Sequence, residues 1–199
     1  MEFSIVPGQP GVHDEDFANL FLTSAPEYAP ALFAGKHEVV TRNCFRHKKN
    51  LIGFEHARFL LVEQRTAGMI VGYGWHAKKA QSARSGLLPI RYMKWAFMKR
   101  MKDLQWSDQV LGKMDEETYY ISNLALYPEY RNLGLGAELL VYIQDVATQS
   151  GAKKLDVDAE IDNEGAVRFY KRFSMTEFEK KHTEIDGEQF DFIRLSKPL

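Results

Sequence analysis

The sequence predicts an α/β (α+β) chain built on a mixed sheet, and three observations carry that expectation. Residues 119–137 run from an apolar strand through a Pro-marked turn and a glycine-bearing loop into a helix. Two pairs of β-rich runs, Arg58–Glu63 with Met69–Trp75 and Phe178–Glu184 with Gln189–Leu195, flank short turn signals and read as hairpins. Lys154–Glu160 alternates strictly, with Leu155, Val157 and Ala159 on one face and Asp156, Asp158 and Glu160 on the other.

At 199 residues the chain has room for a single domain with a sizeable core, residues 1–199. The 45% hydrophobic content is that of a globular protein, and no apolar run approaches the roughly 18 residues of a membrane helix. A net charge of −1 argues against general affinity for nucleic acid. Cys44 stands alone, so no internal disulfide forms, which fits a reducing cytoplasm. Met1–Pro7 is acidic and breaks at proline, unlike a signal peptide. The six histidines lack metal-ligand spacing, so no metal site is expected.

In chain order, Phe3 to Val6 reads as a first strand ending at Pro7-Gly8. Asp14–Leu22 reads as a helix with Phe17, Leu20 and Phe21 on one face. Ser24-Ala25-Pro26-Glu27 has capping-box spacing for a second helix, which Gly35 would close. Arg42 to Asn50 reads as a solvated loop. In the first hairpin Gln64 to Gly68 separates the strands, and Gly72 and Gly74 suggest a bulge or a backbone close to a ligand.

Residues 78–113 read as a basic helical insertion holding nine Lys/Arg against two Asp. Its centre, Ile90 to Trp106, is amphipathic, with Met93, Phe97, Met101 and Leu104 on one stripe. Three roles are open for it: a helix packed on the sheet, a docking surface for an acidic substrate or partner, or a membrane-surface helix. With the last strand, it is also a plausible homodimer surface. The alternating strand is likewise open between a solvated acidic face and an acidic wall that attracts a cationic amine. Asp186-Gly187 marks the tight turn of the final hairpin.

Residues 119–137 place unpaired backbone N–H groups at a helix N-terminus, a main-chain anion site suited to phosphate. Leu135, Leu139, Ile143 and Val146 recur at helical spacing, and Gly151 marks the C-terminal cap. A dinucleotide fingerprint is excluded because its third glycine position is Leu139, and no P-loop Gly-Lys-Ser/Thr triplet occurs.

What is present is Arg-x-x-Gly-x-Gly, Arg131 to Gly136, after an Ile-x-x-Leu-Ala-Leu strand. This resembles the acetyl-CoA loop of the GCN5-related N-acetyltransferase (GNAT) superfamily. Asn163-Glu164-Gly165-Ala166-Val167-Arg168-Phe169-Tyr170 is similar to the family's later Asn-x-x-Ala-x-x-x-Tyr helix, although Ser174-Met175 stands where Gly-Phe is usual. The resemblance covers residues 119–175. It implies a GNAT-like mixed, mostly antiparallel sheet with helices on both faces, and CoA bound where neighbouring strands splay. It implies CoA contacts at Leu124, Ala125, Leu126, Arg131, Asn132, Leu133, Gly134, Leu135, Gly136, Ala137, Asn163 and Tyr170.

The implied activity is acyl-CoA-dependent N-acetyltransfer to a primary amine, of a small molecule or a protein, by direct attack. An amine with pKa near ~10.4 must lose a proton, at about 4–5 kcal/mol at pH 7. Relatives place a Glu or His at positions matching Tyr120 and Ser122, neither of which is a convincing base. Glu117, Asp158 and Glu160 are the substitute carboxylates. Tyr170 is the proton donor to the thiolate and Tyr120 the remaining catalytic candidate. The alternative is a non-catalytic acyl-CoA-binding module, and hydrolytic or O-acyl chemistry is a third reading.

Overall fold

In the computed structural model, residues 2–93, 95, 102 and 110–199 are described. Seven strands form one sheet: β1 (Phe3–Pro7), β2 (Ala57–Val62), β3 (Arg65–Gly74), β4 (Thr118–Leu126), β5 (Lys154–Glu160), β6 (Thr176–Ile185) and β7 (Glu188–Pro198). Their order is β1-β2-β3-β4-β5-β7-β6, antiparallel throughout except for the parallel β4–β5 pair. The two hairpins form as expected, with tighter turns. Glu63 and Gln64 (φ 49° and 67°) make the first, and Asp186 and Gly187 (φ 55° and 82°) the second. Positive φ at both turn residues matches the right-handed twist of the flanking strands.

Helices cover both faces. On one lie α1 (Asp14–Ser24), α2 (Tyr28–Leu32) and α3 (His37–Phe45). There Phe17, Leu20, Phe45, Phe59 and Met69 form a core with no exposed surface. On the other lie α6 (Leu135–Gln149) and α7 (Glu164–Arg172), which bury Leu139, Leu140, Ile143 and Tyr170 over Ile70, Ile121 and Val157. Between β3 and β4 come α4 (Trp75–Leu87) and the short α5 (Ile90–Met93).

Three sequence expectations are corrected. Arg42–Asn50 is not a solvated loop: α3 runs into it, and Val40, Thr41, Cys44, Phe45 and Asn50 are buried. Its apolar stripe is short and broken by charged residues, which hid it. The Ser24 capping box does not form, because the Ser24 hydroxyl donates to Phe21 O (2.7 Å) and accepts from Asn123 Nδ2 (2.7 Å). The run ending at Trp75 leaves the sheet after Gly74, and residues 75–87 are helical. Of the expected Ile90–Trp106 helix, Ile90–Met93 forms and buries Met93, while most of the remainder lies outside the described residues. Among the described residues no helix is long and apolar enough to cross a membrane.

Candidate acyl-transfer site

The site begins where two strands part. β4 and β5 pair in parallel only from Thr118–Lys154 to Ile121–Val157. The β3–β4 register slips between Val71 and Gly72, so Ser122 is an extra residue on β4. Such a bulge bends and twists its strand. Beyond it, β4 stays with β3 to Leu126 while β5 stays with β7 to Glu160, and a gap opens between them. A cavity of about 1510 Å³ passes through that gap and reaches both faces of the sheet.

On the α6 face the cavity is lined by Leu124, Leu126, Arg131, Asn132, Gly134, Gly136, Ala137, Asn163 and Tyr170, while Ala125, which also lines it, packs into the core on the α1–α3 face. Asn132 (φ 61°) and Gly134 (φ 81°) are both left-handed, so the loop curls before α6 begins. The N–H groups of Asn132, Leu133 and Gly134 donate to no backbone carbonyl among the described residues. A curled run of free N–H groups at a helix N-terminus is an anion cradle. A Cβ on Gly134 would meet nothing within 4 Å, so the cradle is open to a ligand there. A Cβ on Gly136 would instead touch the Phe169 ring, 3.4 Å from Cε2. These residues fit a pyrophosphate. The side chains of two expected contacts turn elsewhere: Leu133 is 51% exposed and Leu135 is buried in the core.

Asn163 caps α7, its Oδ1 accepting from Ala166 N (3.1 Å). Tyr170 is buried, and burial pushes its phenol well above the ordinary range. Ser174 (φ 63°) takes the left-handed conformation that a glycine would supply, so the turn after α7 closes without one.

The three acidic residues of β5, alike in sequence, are divided by the structure. Asp158 Oδ2 accepts from Arg194 Nη2 (2.7 Å), Gly112 N (3.0 Å), Tyr120 Oη (3.1 Å) and Lys181 Nζ (3.4 Å), while Oδ1 accepts from Arg194 Nε (2.7 Å). Burial opposes its charge, but Arg194, Lys181 and Gly112 together outweigh it and hold the carboxyl below its usual range. Asp156 accepts from Ser196 Oγ (2.6 Å). Neither is a solvated face nor a free wall, because β6 and β7 bring Lys181 and Arg194 over them. Lys181, although next to Asp158, is depressed, because burial exceeds the attraction.

The same cluster holds the far end of the 78–113 insertion by its backbone. Lys181 Nζ donates to Val110 O (2.8 Å) and Arg194 Nη1 to Lys113 O, while Gly112 N reaches Asp158. Tyr120 belongs to this cluster, its phenol raised well above 10 by burial and by Asp158.

Glu160 is the exception. It lines the cavity, and its Oε1 is buried with no hydrogen-bond partner among the described residues. Burial, with help from Glu27 and Asp162, raises its carboxyl above the usual range. Glu117, by contrast, is exposed at the start of β4 and does not line the cavity. The sequence put all three carboxylates on a par. Only β6 and β7 reveal which one lacks a partner.

The chain matches the Acetyltransferase (GNAT) family model over residues 27–175. It is similar to N-alpha-acetyltransferase 30 of Schizosaccharomyces pombe, at 34% identity over 61 residues, which are 31% of this chain and 41% of that protein's length. Among solved structures it resembles an N-acetyltransferase from Staphylococcus aureus Mu50, with TM-score 0.66 and 19% identity over 98% of this chain and 100% of that one. It also resembles a GNAT family acetyltransferase from Elizabethkingia anophelis with acetyl-CoA bound, with TM-score 0.57 and 16% identity over 99% and 98% of the two chains. At such identity the structural likeness speaks for the fold alone. The family match covers more than half of the chain, including the splayed strands and the glycine loop, and the chain therefore belongs to the GNAT acetyltransferase family.

Proposed function

We propose that this chain acts as one domain that transfers an acetyl group from acetyl-CoA to a primary amine by direct attack, with Glu160 as the proton acceptor. The observation that carries the proposal is a half-buried carboxylate with one buried oxygen unpartnered among the described residues, in the same cavity as an anion cradle. It also favours an enzyme over a binding module, which has no use for a base beside the acyl group. Acetyl-CoA, as found in the Elizabethkingia structure, supplies the thioester.

The chain's residues then do four things. The loop from Arg131 to Ala137 seats the pyrophosphate through main-chain N–H groups and the α6 N-terminus. Of the backbone N–H groups from Leu124 to Leu126, those of Leu124 and Leu126 point to the strand edge that β5 has left and face the acyl oxygen as oxyanion donors. Glu160 accepts the proton that the ammonium must lose, and its raised basicity brings it nearer the working pH. Tyr170, kept protonated by burial, donates to the departing sulfur. Tyr120 and Asp158 stay in the buried cluster as positioning groups.

Thermal shift tests the cofactor. Acetyl-CoA or CoA at about 100 times its dissociation constant should stabilise by roughly 2.7 kcal/mol, several degrees for this chain length, and NADH or ATP should not. Gly134→Asp should remove that shift, since it puts a negative charge at the cradle, while lowering the unliganded stability by only about 1–2 kcal/mol for a side chain in the left-handed conformation. An unaltered CoA shift in this variant would move the pyrophosphate elsewhere. Tyr170→Phe should lower kcat about tenfold or less while leaving acetyl-CoA affinity in place, because a thiol leaving group with pKa near ~8.5 needs little help. Full turnover would leave Tyr170 a packing residue.

A further inference from the structure

The acceptor half of the cavity has a chemistry of its own. β3 and β4 remain paired to Gly74 and Tyr119, where a two-residue turn would suffice, yet residues 75–117 intervene. Part of that segment forms a wall of the cavity: Lys78, Ser82, Gly86, Leu87, Leu111 and Gly112 all line it. Facing them on this side of the sheet are Tyr28, Phe33, Leu51, Tyr73 and Phe192. The charged residues on these acceptor-side walls, among those described, are Lys78, Asp158 and Glu160. Asp158 is neutralised by Arg194.

We infer that the acceptor is a monoamine with an aromatic or large apolar body, its single ammonium placed at Glu160 and its body in the pocket lined by Leu87, Leu111, Tyr28, Phe33, Tyr73 and Phe192. The inference rests on the acetyl-transfer reading above and deepens it. One unpartnered carboxylate oxygen matches one ammonium. A second ammonium, as in a polyamine, would lie desolvated among apolar side chains, which is costly. A peptide would bring several backbone N–H and C=O groups to walls made mostly of carbon. An aromatic ring meets flat apolar partners there and needs no polar ones. The volume suffices, since a pocket for a drug-sized ligand is roughly 300–1,000 Å³ and this cavity of about 1510 Å³ also admits the acyl arm.

The experiment has two readouts. Thermal stabilisation by acetyl-CoA reports on the cofactor alone. Thiol release is then measured with 2-phenylethylamine, tryptamine, spermidine and a lysine-containing tetrapeptide with a free N-terminus. The two arylalkylamines should be turned over with kcat/KM about 10²-fold or more above the other two. Spermidine or the tetrapeptide turned over as well as the arylalkylamines would overturn the inference and leave the transferase reading standing. Acetyl-CoA stabilisation with no amine turned over would overturn both, and so would no stabilisation at all.

Gly86→Leu supplies an independent check. A side chain at Gly86 enters open space at the cavity wall, and Leu suits a helix better than Gly. KM for 2-phenylethylamine should rise about tenfold with acetyl-CoA stabilisation retained. An unchanged KM would place the acceptor elsewhere.

Discussion

Arg194→Met should lower the unfolding free energy by about 3–5 kcal/mol, because it strands a buried carboxylate. Asp158 is 2% exposed at its side chain and takes both oxygens' strongest contacts from this guanidinium. What remains after the substitution is Lys181 at 3.4 Å, Tyr120 and Gly112 N, too little to hold the charge. At roughly 2–4 °C per kcal/mol for a chain of this size, Tm should fall by about 10 °C. The sign with pH follows from the direction of the Asp158 shift. A carboxyl held below its unfolded value contributes stability above that value and loses it as pH falls through the folded one. The gap between wild type and variant should therefore be full at neutral pH and shrink below the ordinary aspartate value of 3.8. Adding Asp158→Leu should recover part of the loss, since it removes the stranded charge. A double variant no better than the single one would mean that the cost comes from packing. Because Arg194 also holds Lys113 O, the single variant should raise KM for the amine more than it weakens acetyl-CoA.

Glu160→Gln should cut kcat/KM by about 10²–10⁴-fold with acetyl-CoA affinity preserved, the usual contribution of a positioned base. It should also make the protein more stable, a combination that a merely structural residue would not show. The folded-state carboxyl titrates above the unfolded reference of 4.5, so the folded protein holds a proton that the unfolded chain has released. Stability then falls as pH rises through that window and stays reduced above it. Replacing the carboxylate by the neutral amide removes the cost, so Tm should rise at pH 7 and match wild type below pH ~4. In wild type the acid limb of kcat/KM should lie above the usual glutamate range and disappear in the variant. Wild-type turnover in the Gln variant would return the base to open question and leave the cradle untouched.

The cofactor half was legible in the sequence because its signals are local. A left-handed glycine, a helix N-terminus and an i, i+4 apolar stripe occupy consecutive residues, 134–151, and need no distant partner to be recognised. Both hairpins announced themselves through β-rich runs flanking a short turn; Asp186-Gly187 also fixed the second turn, whereas the first turn sits at Glu63–Gln64 and not at the expected Gln64–Gly68. Period-2 alternation also placed Asp156, Asp158 and Glu160 on one face.

Their separate fates were not legible. Alternation says which residues share a face, but burial and pairing depend on what crosses that face. Here it is β6 and β7, reaching back with Lys181 and Arg194 from more than twenty residues away. The loss of Glu117 as a candidate has the same origin, since only the point where β4 and β5 part decides which end of a strand meets the ligand. Helix α3 was missed, and the helix of residues 75–87 was expected only as part of a helical insertion beginning at 78, because their polar residues outnumber a short apolar stripe, and tertiary packing, not propensity, makes them helices. By itself, then, the sequence determined the strand–loop–helix with its unpaired N–H groups, whose geometry is written in backbone conformation. The tertiary structure decided the rest, because a free carboxylate and an apolar acceptor pocket are properties of what surrounds a residue.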